Sequence, residues 1–249
     1  RGRCASGRGG PTERGSAQLV TVPAVEARVL SIQVGVPRTI GRAGAEDPMD
    51  REWTSAFVKE PVEGAVWLGF TNLAGDRQAD RRNHGGPDKA VLAYAAAHYP
   101  RWQAELGRSD IGFGGFGENL TVSGFAEDVV CVGDVMTLGD AVLELSQPRG
   151  PCWKIARRWR IPDLTARVLR SGRTGWYYRV RREGSITAGL PLAIVERPHP
   201  EWPVSRALEV MYVRRHDIEG AAALAECEAL SAGWRDKLRE RVAAAGGGG

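Results

Sequence analysis

The sequence predicts an α+β chain: a mostly β, barrel-like domain followed by a small all-α module of three helices. Three observations point there. Short β-branched and apolar runs recur between Gly and Pro residues, as strands joined by tight turns do. The segment GDVMTLGDAVLELSQPR holds two alternating runs about Gly139-Asp140, which suits a hairpin. After RPHPEWP, with three prolines in seven residues, the strand pattern gives way to helical spacing. The expected organisation is a disordered tail over 1–24, a barrel over 25–198, a helical module over 203–243 and a second tail over 244–249.

Each element has its own signal. ARVLSIQVG, EGAVWLGFTNLAGD and KAVLAYAAA read as strands bounded by Gly and Pro. HYPRWQAELG has helical spacing and ends at Gly107. GFGGFGENLTVSG is a Gly-rich approach to a strand, and the hairpin about Gly139 follows. CWKIARRW and PDLTARVLRSG read as short helices, with Pro162 near the first turn of the second and Gly172 as its C-cap. GWYYRVRREGSI and LPLAIVER return to strand. Ser205 and Asp217 are the expected N-caps of RALEVMYVRR and IEGAAALAECEAL, and GWRDKLRERVAAA supplies the last helix.

Composition narrows the class. Hydrophobic residues make up 43% of 249, enough for a real core, and the net charge is only +4. No apolar run reaches the roughly 18–20 residues a membrane helix needs. The positive charge is almost all Arg, with lysines only at 59, 89, 154 and 237, a bias given no functional meaning at this stage. Cys4, Cys131, Cys152 and Cys227 form no CxxC pair, so neither zinc nor iron–sulfur spacing is present. They also do not read as a disulfide framework, which favours a reducing, cytoplasmic setting. The amino-terminal tail is too rich in Gly, Arg and Ser to fold.

Four stretches carry possible chemistry. Cys152 sits at the expected mouth of a helix, with Arg149, Lys154, Arg157 and Arg158 nearby. Cations and a helix N-terminus favour a thiolate, which acts as a nucleophile or a soft-metal ligand. A buried structural cysteine is the competing reading. Between Arg149 and Arg182, eleven Lys and Arg face a single acid, Asp163. Such a run suits a bound anion, a solvated face lying against acids elsewhere, or nucleic acid stacking on the interleaved Trp and Tyr. His84, in RRNHGGPDKAV, stands in a tight loop where it donates to an anion, acts as an acid or, as is usual for a lone loop histidine, does neither. Glu118, in GFGENLTV, is a general acid or a turn-stabilising carboxylate. No helix and no GxGxxG follow it, so a dinucleotide site is not expected.

Taken together, HGGPDKAV, FGENLTV, VCVGDVMTLGDAVLELSQPRGPCWKIARRW and TGWYYRV resemble the MOSC domain family, from about Val29 to Val195. The likeness is to its short bacterial YiiM-like members, associated with resistance to hydroxylaminopurine, and the helical tail resembles the three-helix module of that subgroup. The resemblance implies a MOSC-type β-barrel that binds the molybdenum cofactor (molybdopterin), with Cys152 as molybdenum ligand. It places His84, Asn119, Gln147, Arg149 and Lys154 around the cofactor, Arg149 and Lys154 favoured for its anionic part. Pyridoxal phosphate binding is also associated with the family. The implied activity is reduction of N-hydroxylated small molecules to amines, with an external flavin or iron–sulfur reductase as electron donor. A non-catalytic carrier of sulfur or cofactor is the main alternative, and a nucleic-acid-binding barrel the more remote one. The helical module is expected to recruit a reductase or to mediate self-association as a homodimer.

Overall fold

The computed structural model describes residues 27–80 and 84–247. The tail expected over 1–24 therefore lies outside the described residues. Twelve strands and six α-helices occur among them. An eight-stranded sheet runs in the order β12-β8-β9-β10-β6-β7-β1-β4. Its members are β1 (Arg28–Val34), β4 (Glu60–Pro61), β6 (Val91–Ala95), β7 (Leu120–Ser123), β8 (Val135–Leu138), β9 (Ala141–Pro148), β10 (Trp176–Arg182) and β12 (Leu192–Glu196). All its pairings are antiparallel except β6 with β7.

The sheet curls until its ends meet. Val29 donates to the Leu190 carbonyl at 3.1 Å, Leu192 to that of Ala27 at 2.9 Å, and Gly189 to that of Val29 at 2.7 Å. These bonds join β1 to the segment entering β12 and satisfy backbone groups that an open edge would leave bare. The hairpin forms as expected, with Leu138 opposite Ala141 and Gly139 at φ 56°.

Two expectations need correction here. EGAVWLGFTNLAGD yields only β5 (Val66–Leu68), which pairs with β11 (Gly184–Ile186). The rest is turn, because Gly69 bonds back to Asn72 at 3.0 Å and Ala74 to Trp67 at 2.8 Å. The short pair β2 (Arg38–Ile40) and β3 (Trp53–Ser55) was not foreseen at all.

The helices are α1 (His98–Leu106), α2 (Lys154–Trp159), α3 (Leu164–Ser171), α4 (Val204–Leu208), α5 (Ile218–Ala225) and α6 (Ala232–Gly246). Gly107 and Gly172 end α1 and α3 in the left-handed region, at φ 61° and 71°. Asp217 caps α5, its Oδ1 accepting from Gly220 N at 2.7 Å. Ser205 does not cap α4. The helix starts at Val204 behind Pro203, and barrel carbonyls take its first donors: Val204 N reaches Val130 at 2.9 Å and Ser205 N reaches Glu127 at 2.7 Å. Beyond α4 the chain continues as a π-helical turn, Glu209–Val213. The tail expected from 244 is also corrected, since α6 runs on through Gly246.

One apolar core spans barrel and helices. Leu145, Trp176 and Tyr178 belong to the same buried cluster as Trp202, Val204, Leu224 and Trp234. A second cluster, rich in aromatics, gathers Trp53, Phe57, Tyr94, Trp102, Phe116 and Trp159 with residues of α2 and α3.

Candidate functional site

Strand β9 leads straight into the segment singled out by sequence. Its pairing with β10 persists to Pro148 opposite Trp176, and Arg149 N still donates to Gly175 at 3.0 Å. The chain then leaves the sheet as Gly150-Pro151-Cys152 and enters α2. A cleft of about 620 Å³, counted to its open mouth, lies beside this exit. Cys152, Arg149, Lys154, His84 and Asn119 all line it. Gln147 does not. It is buried within the sheet opposite Tyr177, its Nε2 turned to the Pro148 carbonyl at 3.2 Å.

Cys152 is half-buried and stands two residues before α2. That helix has only six residues, so its dipole adds little, contrary to the expectation from sequence. The position is fixed instead by backbone. The Cys152 carbonyl accepts from Ile155 N at 3.3 Å and from the Thr165 hydroxyl of α3 at 3.1 Å. Beside it, Trp153 and Trp53 meet edge-on at 5.3 Å, with the Arg157 guanidinium 5.6 Å from each ring.

Arg149 is 3% exposed, and its Nη1 has no hydrogen-bond partner. Its guanidinium lies 5.9 Å from the Phe57 ring centre, an attraction too weak to replace a missing acceptor. Lys154 and Lys89 add cations to the same wall. Burial first, and then the charge of Lys154, push the His84 imidazolium down to about 4, so His84 is neutral at pH 7.

A second part of the cleft lining is built differently. The buried Asp76 carboxylate accepts from Gly35 N at 2.7 Å, from Asn119 Nδ2 at 3.0 Å and from the Lys59 ammonium. Asn119 is consumed in the same way, with Oδ1 accepting from Leu92 N at 3.2 Å and Nδ2 also reaching the Gln33 carbonyl at 3.2 Å. Burial pulls the Lys59 ammonium down, and Asp76 opposes that shift. Glu118, fully buried, lies outside the cleft lining. Its carboxylate ties the Gly-rich loop together by accepting from Gly114 N at 2.7 Å, Phe116 N at 3.2 Å, Thr121 Oγ1 at 2.9 Å and the Tyr99 hydroxyl. The turn-stabilising reading of Glu118 is the one its geometry fits. Gly117, at φ 77°, completes that loop, where a Cβ would stand 2.7 Å from the Phe57 ring.

Five other arginines of the basic run are paired with acids. Arg160 meets Asp47 and Asp50, Arg167 meets Asp163, and Arg173 meets Glu105. Arg179 and Arg181 share Glu144. Of the run, only Arg149 and Lys154 line the cleft.

Sequence reasoning missed Lys59, Asp76, Lys89 and Tyr177. A signal for two of them was present in composition. Only four lysines occur in this Arg-rich chain; three line the cleft, and Lys237 lies close enough to act on Lys89.

Comparison with known proteins follows the same division. The chain matches the MOSC domain over residues 80–193 and the YiiM-like, 3-alpha helix domain over 202–245. It is 40% identical over 216 residues to the uncharacterized protein YflK of Bacillus subtilis (strain 168), covering 86% of this chain and 93% of that one. A Gibberella moniliformis protein named Reductase is 39% identical over 182 residues, 72% of this chain but only 32% of its own length. The crystal structure of YiiM from Geobacillus stearothermophilus superposes with a TM-score of 0.72 at 34% identity, covering 87% of this chain and 99% of that one.

Proposed function

The chain belongs to the MOSC domain family, and from that premise we propose that its cleft binds the molybdenum cofactor and reduces N-hydroxylated compounds to amines. The observation that carries the reading is Arg149: a buried guanidinium with an unpartnered Nη1, on a residue that lines the cleft together with Cys152. A cation so placed is costly unless an anion completes it. The phosphate of the cofactor is such an anion, and Lys154 and Lys89 line the same wall.

Among the described residues, no three His, Cys, Asp or Glu side chains gather to hold a metal ion. A single soft sulfur ligand, Cys152, fits a metal that arrives with its other ligands already attached. When bound, the cofactor supplies two-electron transfer. This chain's residues do the rest. Arg149 and Lys154 hold the anionic part, and neutral His84 offers a hydrogen bond without adding repulsion. Trp53 and Trp153 form an apolar rim beside Cys152. Reduction breaks the N–O bond with two electrons and two protons and leaves an amine and water. The electrons come from a separate flavin or iron–sulfur reductase.

The test is molybdenum content by elemental mass spectrometry after expression in a cofactor-competent host, beside Cys152→Ala and Arg149→Met. Turnover of an N-hydroxylated base with a chemical reductant follows. Near-stoichiometric metal in the parent, its loss in both variants, and release of the amine support the reading. A parent without molybdenum sinks it, and metal without turnover points to a cofactor carrier.

A further inference from the structure

The helices after the barrel do more than cover it. Ser231 N donates to the Ser146 carbonyl of β9 at 2.9 Å, which docks the start of α6 on the strand that delivers Arg149. Between α4 and α5 lies the π-helical turn Glu209–Val213, closed by Arg214 N donating to Glu209 at 2.7 Å. A π-turn leaves misaligned carbonyls and re-aims side chains, and such turns persist mainly where something holds them. Arg241 of α6 does so here, its Nη1 bonding the Val210 carbonyl at 2.7 Å and its Nη2 that of Met211 at 2.8 Å.

The residue that this turn presents is Tyr212. Its ring rests edge-on against Trp234 at 5.8 Å, and its hydroxyl is pressed onto Gly150. A Cβ at Gly150 would stand 2.4 Å from that hydroxyl, so no other residue fits there while Tyr212 stays in place. Gly150 lines the cleft with Arg149 and Cys152 on either side of it in sequence. A second link is electrostatic. Lys89, on the cleft wall, is depressed first by burial and next by the charge of Lys237 on α6. Tyr212 and Lys237 also line a shared outer hollow between the π-turn and α6.

We propose that Tyr212, held by the π-turn and Arg241, backs Gly150 from outside the cleft lining and thereby sets how large a molecule reaches Cys152. The helical module is then part of the site rather than an appendage to it. This rests on Cys152 being the working residue of the cleft.

The experiment compares two thiol reagents on the full chain made without cofactor, iodoacetamide and a fluorescein-bearing maleimide. Modification is followed at Cys152 by peptide mass spectrometry. Cys131 and Cys227 are buried, and burial pushes their thiols up, that of Cys131 to about 11, so they react slowly. Tyr212→Ala is expected to raise the rate of the bulky reagent relative to the small one by about tenfold or more, because Gly150 loses the side chain behind it and can give way. Tyr212→Phe keeps the ring beside Trp234 but removes the hydroxyl that meets Gly150, and moves the ratio in the same direction by less. Gly150→Ala, which forces Tyr212 outward, moves the ratio the same way as Tyr212→Ala and carries the test if that variant does not fold. An unchanged ratio overturns the proposal. A parent that never holds molybdenum sinks the cofactor reading, and the reagent ratio still decides this one.

Discussion

The Asn119 wall and the Cys152 wall of the cleft are both charged and largely buried, yet they treat their charges in opposite ways. On the first, Lys59, Asp76 and Asn119 meet one another, Gly35, Gln33 and Leu92 in a closed set of hydrogen bonds. On the second, Arg149 keeps an open donor and His84 is held neutral by burial first and by its cationic neighbours next. A closed network fixes the shape of a site. An open one leaves a donor suited to a ligand of opposite charge, as the proposed cofactor site requires.

The sharpest way to break this contrast is Asp76→Ala. It would strand the buried Lys59 charge and cost about 3–5 kcal/mol in urea denaturation. A loss below 1 kcal/mol would mean that the Asn119 wall is not the rigid one. Arg149→Met should do the reverse. Stability stays within about 1 kcal/mol of the parent, because an unpaired buried cation is replaced by an apolar chain of similar length. Molybdenum retention in the purified protein, by contrast, falls by about tenfold or more, as loss of a charge-assisted bond predicts.

How much of this was readable beforehand follows the same line. The hairpin about Gly139, strand β6 and helix α1 were legible because alternation, helical spacing and glycine stops agree within each segment. Cys152, Arg149, Lys154, His84 and Asn119 were legible because they sit in short contiguous motifs. The Lys59–Asp76 pair was not, because it joins residues 17 positions apart across turns that have no period. Gln147 was misplaced because neighbouring positions of one motif need not share a cavity. The caps divided on tertiary context: Asp217 bonds its own helix, whereas Ser205 yields to barrel carbonyls.

A smaller test sets the scale for the two walls. Asp217→Ala, remote from the cleft, removes only a helix cap and should cost about 1 kcal/mol by the same denaturation. A further expected effect is on pH. The folded His84 titrates near 4 rather than at its ordinary 6.5, so the unfolded chain binds more protons between those values. Stability due to this residue is therefore intact above pH 6.5 and lost as pH falls through 4. Melting scans at pH 7 and pH 5 should show a drop that is a few degrees shallower in His84→Gln. Equal drops would remove His84 from the open wall.

The closure of the sheet has a consequence for how the molecule comes into being. Arg28 reaches the Gly189 carbonyl from a position 161 residues away in sequence. Bringing such distant segments together carries a loop-closure cost of roughly 4–5 kcal/mol in the simplest polymer estimate, before any contact rewards it. A topology ruled by pairings this distant folds in milliseconds to seconds rather than microseconds. During synthesis the first strand must wait for nearly the whole barrel to be made. Until then, the side of residues 27–29 that closes on residues 189–192 stays an unpaired edge, although β1 already has β7 and β4 beside it.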